Sequence, residues 1–380
     1  MKWSWIILSY IALLSFGLLD NVRGPLYPEI LKWFQVKTTQ GSLFFSSASL
    51  CGLFICIINK FWLKRFGALR SLRFFILIMF VSCLGMGVSG FFKEGFFSLI
   101  LFSSLFGVST GGSGICMNIL VAQGANEKWR RRALSGLHAV YGFASLFAPL
   151  FAGLWLKKAG SWSTALIFLS LIPLITWLGS FVSVSNSKDE IKVKETEYLQ
   201  LPRSYSFILG LIFAFAVSAE LSLSTQIPLY GEVVMGWDIQ KSSFYLTLFF
   251  LFLLLGRFLF SIFHFPGKSH SWLLLSTGLG SVSYFLGLYV HPFFLPFSAF
   301  FISIFFPCAV DWISYLFENK IEKLMASIMT VVGVFVVSMH ILIGRVTDLW
   351  GLKTALMMGP LFLFMSFTIL LFMRNKIWKY

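Results

Sequence analysis

Apolar runs of about 20 residues recur along the chain between short polar breaks, and that length matches the hydrocarbon core of a bilayer. Twelve runs are read, at 4–22, 41–58, 73–92, 95–122, 134–156, 162–184, 205–228, 241–262, 271–290, 293–317, 325–344 and 353–373. The fourth is long and holds Gly107, Gly111, Gly112 and Gly114, and the eighth contains Arg257. The runs are continuous rather than alternating, which excludes the strands of a lipid-facing barrel. Backbone amides in hydrocarbon find no water to bond, so each run is expected to be a helix.

One polar break differs from the others. Residues 185–204 (SNSKDEIKVKETEYLQLPRS) carry four acids and four bases after the sixth run. They read as a cytoplasmic linker between an N-terminal six-helix bundle (1–184) and a C-terminal one (205–380). An echo supports a duplicated plan. Gly153 is followed seven residues later by Gly160 and then Thr164-Ala165-Leu166, and Gly344 seven residues later by Gly351 and then Thr354-Ala355-Leu356. The expected fold is an all-α membrane protein: twelve transmembrane helices in two pseudo-symmetric six-helix bundles.

Composition agrees with this pattern. Charged residues make up 12% of the 380 and hydrophobic ones 58%, with 46 Phe and 13 Trp. A soluble domain has about 25% charged residues, so a soluble enzyme, a nucleic-acid binder and a disordered chain are excluded. Cys51, Cys56, Cys83, Cys116 and Cys308 lie inside apolar runs with no CxxC pair, and read as packing residues. The N-terminal run lacks a small-x-small cleavage site and reads as a retained first helix. The net charge of +15 is explained by topology. With the N-terminus in the cytoplasm, 21 Lys and Arg fall inside and 9 outside, as the positive-inside rule requires. Both termini are then cytoplasmic and no nucleic-acid partner is needed.

Local motifs sharpen the reading. Lys60 to Arg70 (KFWLKRFGALR) is similar to the G-x-x-x-D-R-x-G-R-R loop of the major facilitator superfamily. Arg65, Gly67 and Arg70 are retained, with Lys60 for the glycine and Lys64 for the aspartate. The acidic half of that loop's charge lock is missing. Other stretches resemble the fucose-permease-like sugar transporters of that superfamily. They are Gly17-Leu-Leu-Asp20-Asn21-Val-Arg23-Gly24-Pro25 with Pro28, His138-x-x-Tyr141-Gly142 through Pro149, Ala219-Glu220-Leu-Ser222, and Gly256-Arg257. The resemblance implies a monomeric secondary transporter in a bacterial inner membrane. It also implies a proton-coupling role for Asp20, at the end of the first helix. The second coupling acid, a Glu in helix four of that group, is absent: Met117-Asn118 occupy the stretch. Gly142 to Gly153 is a degraded form of a drug-antiporter motif, and assigns no exchange mechanism.

Ionisable groups at membrane depth cost about 2.5 kcal/mol or more, and face a cavity or a partner. Asp20, Glu220 and Asp311 are such groups and are the candidate proton-coupling residues. Each also has a plainer reading. Asp20 can pair with Arg23 at a helix end, Glu220 can bond a neighbouring helix, and Asp311 can pair with Arg257 or His340. Pro228 is expected to break the seventh helix just past Glu220. Candidate substrate contacts are Asn21, Asn118, His138, Tyr141, Gln226, Trp312, Tyr315 and His340. His138, Tyr141, Ser145 and Pro149 share one helical face. Asp311 beside Trp312 suits a sugar, the acid taking hydroxyls and the ring covering the C–H face. Packing is the alternative for each of these. Candidate gating residues are Arg23, Arg65 and Arg257; for Arg257, snorkelling to the surface is the plainer alternative.

No phosphate loop, His-x-x-x-His pair or nucleophile elbow occurs. No cofactor, metal or catalytic role is expected. The reading is proton-coupled uptake of a sugar or similar polyol by alternating access, with a small-molecule substrate and the lipid bilayer as partners. The alternatives are proton-driven export of drugs or amphipathic lipids on the same fold, and a polytopic membrane transferase. The transferase would need a catalytic polar loop, which the bland linker does not provide.

Overall fold

The computed structural model describes residues 1–158, 160–183, 203–263, 267–317 and 321–373, without the side chains of 60, 127, 131, 183, 203–205, 261, 315 and 321–323. Most of the 185–204 linker and the side chain of Tyr315 therefore lie outside the described residues. Among the described residues no strand occurs, and twelve helices are long and apolar enough to cross a membrane.

By contacts the chain divides into two units. The first comprises Met1–Val36 and Leu43–Thr196, and the second Lys37–Ser42 and Glu197–Tyr380. In chain order the helices are α1 (Trp3–Phe34), α2 (Thr38–Gly41), α3 (Leu43–Ile57), α4 (Asn59–Phe66), α5 (Ala68–Ser89), α6 (Phe96–Gly124), α7 (Glu127–Lys158) and α8 (Trp162–Ser183). They continue with α9 (Arg203–Val233), α10 (Ile239–Ile262), α11 (Ser269–Tyr289), α12 (Phe294–Ile302), α13 (Phe305–Leu316), α14 (Ile321–Trp350), α15 (Leu352–Leu356) and α16 (Met358–Met373).

Within the first unit α1 packs on α6, α7 and α8, while α6 also packs on α3 and α5. Its core gathers Trp5, Leu8, Leu72, Phe75, Ile76, Met117 and Leu120, all nearly or fully buried. The α3–α6 seam is closed by small residues. A β-carbon on Gly107 would strike the backbone of Ala48, and one on Gly111 would meet the Gly52 carbonyl oxygen at 2.6 Å. Lipid offers helices no hydrophobic drive to associate, so close backbone approach of this kind supplies the attraction. Within the second unit α9 packs on α10, α14 and α16, and α11 on α12 and α16.

Four expectations need correction. The first span does not end near residue 22: α1 runs unbroken through Pro25 and Pro28 to Phe34, so Asp20 lies mid-helix rather than at an end. Pro228 likewise sits inside α9, which continues to Val233. A membrane helix tolerates proline because neighbouring helices can satisfy the freed carbonyls. The segment after the second span is not a plain loop, since residues 59–66 form the short helix α4. It ends at Gly67, whose φ of +75° is a conformation that side chains with a β-carbon avoid. The tenth span is also interrupted. It is built of α12 and α13, with a break at Ser303–Ile304. Pro307 falls in the first turn of α13, where its missing N–H leaves no bond unmade.

All five cysteines are free. Cys83, Cys116 and Cys308 are buried, whereas Cys51 and Cys56 are only partly so.

Candidate functional site

The first unit brings a polar cluster together around the middle of α1. Tyr141 of α7 donates its hydroxyl to Asp20 Oδ2 at 3.2 Å. Asp20 Oδ1 lies 3.6 Å from Arg23 Nη1. Asn21 donates to Ser145 Oγ at 2.9 Å and to the carbonyl of Gly17 at 2.8 Å, and Ser145 donates to the Tyr141 carbonyl at 2.8 Å. The helical stripe Tyr141–Ser145 thus faces Asp20 and Asn21. His138, earlier on the same stripe, is exposed, and Pro149 is buried.

The charged pair in this cluster is asymmetric. The Arg23 side chain is 4% exposed and that of Asp20 is 36% exposed. Arg23 Nη2 donates to the Phe44 carbonyl and to Ser103 Oγ, the latter at 3.0 Å. Its guanidinium also sits 4.4, 5.0 and 5.2 Å from the rings of Phe44, Phe45 and Phe106. Cations are attracted to aromatic faces at such distances. The arginine is therefore fixed by several partners, and the carboxylate is the member that solvent or substrate can reach. Sequence reasoning missed Ser103 and the aromatic cage, because nothing in local spacing joins residues 23, 44 and 103.

The second unit holds a second pair. Glu220 Oε1 of α9 lies 3.7 Å from Arg257 Nη2 of α10, and Arg257 Nε donates to the Ser303 carbonyl at 3.4 Å. Arg257 thus pairs with Glu220, not with Asp311. Asp311 is exposed on α13 and accepts a hydrogen bond from Ser269. Trp312 is buried and packs on His270 with ring centroids 5.3 Å apart. Acid and ring therefore face different surroundings rather than one shared sugar face. Gln226 and His340 are buried. Asn118 is exposed on α6 and donates to the Gly114 carbonyl at 2.8 Å. Arg65 is exposed at the end of α4.

A further polar group, Asp348, falls in the polar break between the runs read at 325–344 and 353–373 and so went unnoticed in the sequence. It lies in the last turn of α14 and caps the N-terminus of α2. It accepts from Thr38 N at 3.0 Å, Thr38 Oγ1 at 2.5 Å and Thr39 N at 2.8 Å. Among the described residues no group of three or more His, Cys, Asp or Glu could hold a metal ion. A cavity of about 300 Å³ in the second unit, lined by Ser281, Phe285, Pro360 and Phe364 among others, is apolar and contains none of these charged residues.

A family model described as Major Facilitator Superfamily matches residues 9–333. The chain belongs to the major facilitator superfamily. Its family and fold are those of multi-pass integral membrane transporters, not of enzymes. Among curated relatives, the "Protein TsgA homolog" of Buchnera aphidicola subsp. Acyrthosiphon pisum (strain Tuc7) is 21% identical over 264 residues, which are 67% of this chain and 65% of that relative. A bacterial homolog to the human lysosomal transporter Spinster, in an inward-facing and occupied conformation, superposes with a TM-score of 0.77 at 12% identity, covering 98% of this chain and 97% of that one. The inward-open xylose transporter XylE from E. coli gives 0.77 at 10% identity, over 97% and 96% of the two chains. The outward conformation of FucP, a major facilitator superfamily transporter, gives 0.64 at 15%, over 97% and 99%. At such identities the likeness concerns the fold.

Proposed function

We propose that this protein is a proton-coupled secondary transporter that takes up a small neutral polyol, such as a monosaccharide, by alternating access. The observation that carries the reading is the asymmetric pair in α1: a half-exposed carboxylate, Asp20, beside an arginine that other partners hold in place. A proton arriving on Asp20 removes its attraction to Arg23 without releasing Arg23 from Phe44 and Ser103. The same proton turns one Asp20 oxygen from acceptor to donor, so it changes what the carboxyl can offer a substrate hydroxyl. Tyr141, Asn21 and Ser145 supply uncharged donors and acceptors beside it, which suits hydroxyl recognition. Glu220, paired with Arg257 in the second unit, is a second exchangeable carboxyl. Asn118 and His138, both exposed, are further candidate contacts.

Transport of this kind places the binding site at the bilayer midplane and rocks the two halves around it. The excess of Lys and Arg in alternate connections supports a reading with both termini in the cytoplasm, residues 185–204 as a cytoplasmic linker and a bacterial inner membrane as the setting. The chain acts as a monomer. The high Phe content, 46 residues, favours one alternative: proton-driven export of drug-like or lipid amphipaths.

The test is full-length protein in liposomes holding a pH-sensitive dye, challenged with sugars, amino acids and amphipathic drugs. Sugar-driven internal acidification that disappears in Asp20→Asn and in Glu220→Gln is expected. Alkalinisation driven by a drug, with silence toward every sugar, would replace symport with export. A sugar flux indifferent to both substitutions would refute the assigned carriers.

A further inference from the structure

The end of the first unit that carries its N-terminus is strongly cationic. Lys2 N donates to the Gly124 carbonyl at 2.8 Å, which places the chain start beside the α6–α7 connection. The alternation of spans brings the α3–α5 connection to the same end. From residue 59 to residue 73 the sequence holds Lys60, Lys64, Arg65, Arg70 and Arg73 and no acid. Arg73 is buried and donates to the Ser180 carbonyl at 2.7 Å, so it is structural. Lys64, Arg65 and Arg70 are exposed, and among the described residues none of them pairs with a carboxylate.

Helix α4 presents these cations together with bare aromatic surface. One side is anchored. Trp62 packs edge-on against Phe75, centroids 5.0 Å apart, and donates its indole N–H to the Ile55 carbonyl at 3.2 Å, and Leu63 rests on the buried core. Phe61 is 80% exposed, and Phe66, the last residue of the helix, is 52% exposed. Arg65 lies 5.6 Å from the Phe66 ring. Bulk water disfavours the rings and hydrocarbon disfavours the cations. The boundary between them satisfies both, and the helix is attached to span ends on each side.

We propose that α4 is an interfacial helix that binds anionic phospholipid, with Lys64, Arg65 and Arg70 on the headgroup phosphate and Phe61 and Phe66 among the upper acyl carbons. Charge complementarity selects an anionic over a zwitterionic lipid. The exposed rings select a lipid over a free anion, because only a lipid covers them. This binding is independent of the cargo and holds whatever substrate the transporter carries.

The experiment is native mass spectrometry of the full-length protein in detergent with equal phosphatidylglycerol and phosphatidylcholine. The wild type should retain the anionic lipid at least about fivefold over the zwitterionic one, as a few cations near an anionic headgroup allow. Lys64→Gln/Arg65→Gln/Arg70→Gln should bring the ratio below about two. Lys157→Gln/Lys158→Gln, a loss of two cations from the opposite end, should leave it unchanged. Phe61→Ser touches an exposed ring, preserves folding and charge, and should still lower retention of the anionic lipid. Equal retention of both lipids by the wild type would overturn the proposal and leave this face to a protein partner. A ratio unmoved by the triple substitution would also overturn it, as would displacement of the lipid by millimolar inorganic phosphate.

Discussion

Removing Arg23 should damage the protein more than removing the acid it pairs with. Arg23→Met deletes the bonds to the Phe44 carbonyl and Ser103 and leaves three aromatic rings without their cation. Bonds to a charged group contribute about 1.5–3 kcal/mol each, and each ring adds roughly 0.5–2 kcal/mol. Ser103 also bonds the Phe44 carbonyl, so that acceptor is not orphaned and part of the loss is recovered. The lower ends of these ranges sum to about 4–5 kcal/mol, and the recovered bond brings the net cost to about 3–5 kcal/mol. Asp20→Asn keeps an acceptor for Tyr141 and leaves every other Arg23 partner in place. With its side chain 36% exposed, its loss should cost only about 1 kcal/mol. For a unit of this size, 1 kcal/mol corresponds to roughly 2–4 °C. Thermal unfolding of both variants in one detergent should therefore separate them by at least about 4 °C, with Arg23→Met the lower. Arg23→Lys should fall between them, because it keeps the charge and loses the planar fork. Equal losses, or a larger loss for Asp20→Asn, would refute the claim that the arginine is the fixed partner and the acid the free one.

Other consequences are open to the same kind of measurement. Gly107→Leu should prise α3 from α6 and cost about 3 kcal/mol or more, whereas Gly114→Leu should be near neutral in a melting assay, since a β-carbon there meets nothing within 4 Å. Asp348→Ala removes the cap of α2 and should cost about 1–2 kcal/mol; adding Thr38→Val should then cost less than it does alone, and simple additivity in this cycle would argue against the cap. Arg257→Gln should reduce transport no more than Glu220→Gln in the liposome assay, and the reverse order would shift the second exchangeable group from acid to base. Maleimide should label Cys51 in the folded protein while Cys83 and Cys116, both buried, react only in denaturant.

The twelve spans were legible because lipid imposes one rule, a run of apolar residues long enough to cross. Their ends were less so. Asp20, Arg23, Pro25 and Pro28 in one stretch look like a helix terminus when only local preferences are weighed. In the structure α1 carries all of them and continues to Phe34, since packing against α6 and α7 outweighs local breaking tendencies. Helix α4 was hidden for the opposite reason. Eight residues are too few for periodicity, and its apolar positions are read only once Trp62 is seen against Phe75.

The site divides along the same line. Which ionisable residues matter could be argued from the expense of burying them, and Asp20 with Tyr141 and Asn21 with Ser145 do meet. What each is bonded to depends on residues distant in sequence. Glu220 and Arg257 are 37 positions apart and face each other only because α9 packs on α10. Asp311 looked the equal of Glu220 by sequence, yet it holds Ser269 at an exposed position while its neighbour Trp312 is buried against His270. The difference bears on coupling. A carboxyl that trades a proton for an arginine contact changes the local balance of charge inside the membrane, where such a change is most costly. An exposed carboxyl bonded to a serine changes much less. On this reasoning Asp20 and Glu220 are the stronger carriers, and Asp311→Asn should leave proton movement in the liposome assay largely intact.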